Sequence, residues 1–135
     1  MHTHPAVETA PALGAALRHT RKQLFQQIDR LAAEDDAPFA AGWDGVVAAA
    51  EAAFRHEETI MELAHYTGLA AHRAENARTL GALHHVTSLV DAGDTAAGRA
   101  ALAALGAIVT THRYGIGMAA VDLLLHGHRH KPCSA

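Results

Sequence analysis

Cysteine is nearly missing from this chain of 135 residues: a single Cys133 allows no internal disulfide and no cysteine-based metal cage. That usage points to a reducing compartment, and the cytoplasm is the expected location. No apolar stretch reaches the roughly 18 residues that a membrane-spanning helix needs. Met1 to Pro5 also lacks the charged and then apolar pattern of a secretion signal, so no membrane partner is expected. Aromatic residues make up only 4%, and runs of Val, Ile, Tyr and Phe are absent, which disfavours sheets. Basic residues are scattered singly and the formal charge is −3, so the electrostatic footprint of a nucleic-acid binder is lacking. Glycines stand one at a time inside helical patterns, not in a phosphate-cradling loop. No Ser-His-Asp, Cys-His or paired-carboxylate set shares a face, and the chain is expected not to be an enzyme.

What is present is alanine-rich apolar sequence at helical spacing, with hydrophobic residues at 50% of the chain. Leu13, Leu17, Leu24, Ile28 and Leu31 mark a first helix from about Pro11 to Glu34. Glu34 to Gly42 reads as a connection whose Pro38-Phe39-Ala40 end can begin the next turn. Trp43, Val46, Val47, Ala50, Phe54, Met61 and Ala64 mark a second helix to Tyr66, with Asp44 as its candidate cap. Thr67-Gly68 interrupts, and Leu69, Leu80, Leu83 and Val90 carry a third helix to Asp91. Ala92-Gly93 ends it and Asp94 caps a fourth, which runs to about His126 with Leu102, Leu105, Val109 and Ile116 inward. Short connections favour antiparallel neighbours, so the expectation is an all-α, up-down-up-down four-helix bundle over residues 11–126. A flexible N-terminus (1–10) and a histidine-rich tail (127–135) flank it. Gly98, Gly106, Gly115 and Gly117 each cost the fourth helix up to about 1 kcal/mol relative to alanine, which implies close packing or a cavity.

Twelve histidines are an excess, and histidine is the commonest side chain for first-row metals. Helical wheels turn few of them inward. Glu57 shares the inner stripe with Ala53, Met61 and Ala64, whereas His56 and His65 fall to the flank. His72 lies inward with Asn76 and Leu83, and His112 aligns with Leu105, Val109 and Ile116.

The run Phe54-Arg55-His56-Glu57-Glu58-Thr59-Ile60-Met61, then Tyr66, then His72-Arg73-Ala74-Glu75, resembles the second and third helices of the hemerythrin and bacteriohemerythrin family. Arg21-Lys22-Gln23-Leu24-Phe25-Gln26-Gln27-Ile28-Asp29 is similar to the family's first helix, and Thr111-His112-Arg113-Tyr114-Gly115-Ile116-Gly117 to its fourth. The resemblance implies a hemerythrin-like bundle over nearly the whole chain. In that family five histidines and two bridging carboxylates hold two irons that bind dioxygen. By position, Glu57 matches the bridging glutamate, and His72 and His112 match ligand histidines. Arg21, Ala53 and Asn76 stand where the other histidines belong, and Gly117 where the second carboxylate belongs. A shift of the first helix by two residues would instead bring in His19. Losses on this scale are expected to abolish an ordinary di-iron site.

Three readings of the altered core follow. The favoured one is a carrier or sensor of a diatomic gas, dioxygen or nitric oxide, with a b-type heme in the volume that Ala53 and Gly117 vacate. His72, His112, Met61 and Met118 are then the candidate axial ligands and Arg21 the partner of a propionate. No C-x-x-C-H occurs, so covalent attachment is excluded. The second is a reduced non-heme iron or other metal site of Glu57, His72 and His112. The third is a cofactor-free structural or interaction module around a buried Arg21–Glu57 ion pair, with Asn76, His72 and His112 completing its hydrogen bonds. A homodimer is compatible with each.

Overall fold

The computed structural model describes residues 5–113, and side chains from residue 12 to residue 111. Four helices follow one another, α1 (Pro5–Ala32), α2 (Asp36–Leu63), α3 (Leu69–Asp91) and α4 (Thr95–Arg113), with no strand among the described residues. α1 packs against α2 and α4, α3 against the same two, and α2 touches α4. The expected all-helical, four-element architecture is therefore present. No described helix is long and apolar enough to cross a membrane. The far part of the expected fourth helix lies outside the described residues, as does the tail.

Two boundaries differ from expectation. α1 starts at Pro5, before the position assigned to it, so part of the expected flexible N-terminus is helical. Proline is well suited to a first helical position, where its missing N–H has no intrahelical partner. α2 starts at Asp36 and runs straight through Gly42, so the connection is shorter than the expected Glu34 to Gly42. Pro38 falls in the first turn, where no amide is needed, and Asp35 has the extended backbone of a cap. Asp44 is thus a residue within α2 and not its cap. Gly42 is tolerated mid-helix because a Cβ there would come within 2.7 Å of Leu31 Cδ1, so its bareness lets α1 approach.

The turn after α3 follows the sequence signals, whereas α2 stops at Leu63, short of the expected Tyr66. At the end of α3, Gly93 takes φ of 97°, its N–H donates to Val90 O at 2.9 Å, and Asp94 N donates to Leu89 O at 2.8 Å. This is the paired-bond helix stop that glycine favours. Asp94 Oδ1 then accepts from Ala97 N at 3.0 Å and so caps α4, as expected. α2 ends by the same device, with Tyr66 N donating to Met61 O at 3.0 Å, but His65 takes the left-handed position with φ of 54°. A β-carbon in that region is strained, and histidine tolerates it better than most residues.

The core gathers around Phe39 and Trp43 on α2, whose ring centroids are 6.0 Å apart. Trp43 Nε1 donates to Thr87 Oγ1 at 2.9 Å, so the indole polar atom is satisfied between α2 and α3. Leu24, Ile28 and Leu31 arrive from α1, Leu83 and Val90 from α3, and Leu102, Leu105 and Val109 from α4. Gly98 explains itself here: a Cβ on it would meet Val90 Cγ2 at 2.7 Å and Phe39 Cε1 at 2.8 Å. Next to it, Arg99 lies 4.5 Å over the Phe39 ring and donates to Glu34 O at 2.6 Å and Asp36 Oδ1 at 3.0 Å. The start of α4 is thereby fastened to the α1–α2 connection.

Gly98→Ala is expected to destabilise the fold by about 1–3 kcal/mol through overpacking against Phe39 and Val90. His65→Gly is expected to stabilise it by up to about 1 kcal/mol by removing the left-handed strain. Urea denaturation midpoints check both, and a fall with His65→Gly would contradict the turn assignment.

Candidate polar centre between α1, α2 and α3

A long α2 with an apolar inner stripe must bury whatever stands at the stripe position of Glu57. The wheel places it between Ala53 and Met61, and the structure buries all three. A carboxylate in that setting is costly unless both oxygens find donors. Two neighbouring helices provide them. Arg21 Nε, from α1, donates to Glu57 Oε2 at 2.6 Å. His72 Nε2, from α3, lies 2.9 Å from Glu57 Oε1, and because an ionised carboxylate can only accept, Nε2 carries the proton. Arg21 and Glu57 are each 6% or less exposed, and His72 is 1% exposed.

Burial alone pushes the Glu57 carboxyl up. Hydrogen bonds from His72 and Arg21, with their charges, more than offset this, and the net result lies below its ordinary value of 4.5. Glu57 is therefore ionised at neutral pH, and the pair is a charge-assisted contact between α1 and α2.

Asn76, one turn beyond His72, is also buried, yet it turns to a different acid. Its Nδ2 donates to Glu58 Oε2 at 2.8 Å. Arg73 adds weaker contacts, Nε to Glu58 Oε1 at 3.6 Å and Nη2 to Glu62 Oε1 at 3.5 Å. The inner layer (Arg21, Glu57, His72) and the outer layer (Asn76, Glu58, Arg73) form two polar tiers across the α2–α3 seam. Sequence reasoning placed Asn76 in the inner tier and missed the outer one. The available signal was the four-residue spacing of Glu58 and Glu62 opposite a basic residue on the next helix.

The remaining candidates are distributed as follows. His56, His65, His84 and His85 are exposed, and so is His19, which leaves Arg21 as the α1 residue facing the centre. Met61 is fully buried but belongs to an apolar group with Ala64, Tyr66 and Leu69. His112 is on α4, with its side chain outside the described residues, and Met118, Gly115 and Gly117 also lie outside them. Ala53 sits in the main apolar core.

Among the described residues no three His, Cys, Asp or Glu side chains converge on a point that would hold a metal. Two donors, Glu57 and His72, do meet there. A b-type heme suits the described donor set less well, since axial ligation would require His72 Nε2 to release Glu57.

No family model matches the chain, and neither a curated protein nor a solved structure does.

Glu57 has a depressed carboxyl pKa, so its contribution is complete above the unfolded value near 4.5 and is lost as pH falls through the lower folded value. Glu57→Gln is expected to cost about 3–5 kcal/mol at neutral pH by leaving the buried guanidinium without its counter-charge. It should also flatten the loss of stability below pH 4.5. Replacing both partners, Arg21→Met with Glu57→Leu, should cost less than Glu57→Gln alone. Urea titrations across pH measure all three, and a double variant weaker than the single one would refute the pairing energetics.

Proposed function

We propose that this chain is a hemerythrin-like bundle with an antiparallel up-down-up-down course, in which charge pairing has taken over the interior position of the metals. On this reading it acts as a cofactor-free interaction module, and its helix surfaces do the work. One observation carries the reading: Arg21 Nε stands 2.6 Å from Glu57 Oε2 inside the bundle. A bridging carboxylate must offer both oxygens to cations of the site, and here a guanidinium occupies one and a ring N–H the other. The guanidinium supplies the positive charge that a metal would otherwise supply, and it does so without exchange or redox chemistry. The gas-carrier reading with a b-type heme draws less support, because its principal axial candidate, His72, is engaged by Glu57. The surfaces are consistent with a docking role, since Phe25 and Leu63 remain exposed.

A second reading keeps a metal. Glu57 and His72 present an oxygen and a ring nitrogen to each other, and on this reading Nε2 gives up its proton and one metal is held by Glu57, His72 and His112, with Arg21 in place of the second cation. Dioxygen or nitric oxide would be the natural ligand of such an iron site.

The absorption spectrum and metal content of the purified chain separate these readings. The expected sample is colourless, holds no stoichiometric metal and keeps its melting temperature in a chelator. An intense band at the violet edge of the visible that shifts on reduction or with carbon monoxide would replace the proposal with the heme reading. Stoichiometric metal without that band, lost in both His72→Ala and His112→Ala, would replace it with the single-metal site.

A further inference from the structure

The outer face of α1 carries an unusual run. Arg18, Lys22 and Phe25 stand at four- and three-residue steps on one stripe, which turns toward α4. Arg18 and Lys22 are like charges one turn apart, an arrangement that repels. Among the described residues neither pairs with a carboxylate. Together with Arg21 they line a cavity of about 460 Å³ between α1 and α4, whose wall and floor are Phe25 and the buried Val109. Gln26 and Thr110 complete it, and the Thr110 hydroxyl donates to Gly106 O at 2.9 Å, so Thr110 turns its proton away from the cavity. Among the described residues three cations and no acid line this space, and of the three Arg21 is already paired with Glu57.

A second cavity, of about 590 Å³, continues along the same seam and shares Phe25 and Thr110 with the first. Its walls are largely apolar, with Ile28 and Leu102 from the core edge and Ala103, Gly106 and Ala107 on α4, and the charged residues Asp29 and Arg99 stand at its far end from Lys22. The small residues of α4 keep this part of the seam open. Phe25 stands where the two meet and is 43% exposed, although large aromatics ordinarily find cover.

A cationic mouth that leads into an apolar slot is complementary to an amphiphile with an anionic head. We infer that the α1–α4 seam binds a free aliphatic carboxylate, with the head at Arg18 and Lys22 and the chain passing Phe25 toward Ala103 and Gly106. From Lys22 to Asp29 the helix advances about 10 Å, at 1.5 Å per residue, which suits a chain of about eight carbons. The volumes agree with ordinary ligand pockets, which span about 300–1,000 Å³, whereas a bare inorganic anion would leave the slot unfilled. Arg21 faces both this mouth and Glu57, so the carboxylate would sit beside the buried pair. The site is formed on the outer side of α1 and stands whether the interior holds metal, heme or neither.

The test is a titration of the full ¹⁵N-labelled chain with octanoate, followed by amide chemical shifts, with metal content measured on the same sample. Saturable shifts are expected at residues 22–28 of α1 and 103–110 of α4. Octanamide, the neutral isostere, is expected to bind at least about ten-fold more weakly, and so is octanoate to the exposed double variant Arg18→Gln with Lys22→Gln. Ala103→Trp, which fills the slot from an exposed position, should lower octanoate affinity while leaving the far-ultraviolet circular dichroism unchanged. Equal affinity for octanamide, undiminished affinity in the double variant, or shifts centred on α2 and α3 would each overturn the assignment. Binding only to vesicles of anionic phospholipid, with none to octanoate, would overturn it in favour of a membrane surface.

Discussion

A carboxylate buried in a helix stripe has to be neutralised by something, and in this protein the obligation falls on Glu57. Its side chain is 6% exposed, and each oxygen is met by a donor from a different helix, Arg21 on α1 and His72 on α3. Three elements are therefore tied by one ionised group. The contact does more than hold them near each other. Apolar packing is non-directional and tolerates slippage, whereas a charge-assisted bond at 2.6 Å admits one axial register between α1 and α2. A slip by a turn would leave both a cation and an anion buried without their partners.

The rest of the molecule is arranged around that register. Below the polar centre the large side chains of α2, Phe39 and Trp43, fill the space between the helices, and Thr87 satisfies the indole. At that end Gly98 lets α4 settle onto Phe39, and Arg99 binds the α1–α2 connection through backbone oxygens of Ala32 and Glu34. Polar centre and aromatic layer thus divide the labour: one selects the alignment and the other supplies the bulk of the buried apolar surface.

The same geometry bears on chemistry. Guanidinium and imidazole N–H groups that point at a carboxylate hold it ionised and oriented, and oppose the approach of a further cation. The α1–α4 seam has the opposite character, since Arg18 and Lys22 are cations that meet no acid among the described residues. Charge balanced inside and unbalanced outside places the opportunity for an anionic ligand on the seam.

Helical spacing alone located the four helices and the inward positions of Glu57, His72, Asn76 and Leu83, because burial follows the 3.6-residue period wherever one stripe is apolar. The α3 stop at Gly93 and the Asp94 cap were equally legible, since they depend on local backbone chemistry. Gly42 misled, because whether a glycine breaks a helix depends on what approaches it, and Leu31 is 11 residues away in sequence. Asn76 misled for a related reason: the wheel gives its direction and not which of two adjacent acids its amide will reach. The order of amino acids settles how many helices form and which side chains must leave water. Which partners those side chains meet is a matter of packing, because hydrogen bonds and close contacts depend on the relative placement of helices to within an ångström, and helical periodicity carries no information on that scale.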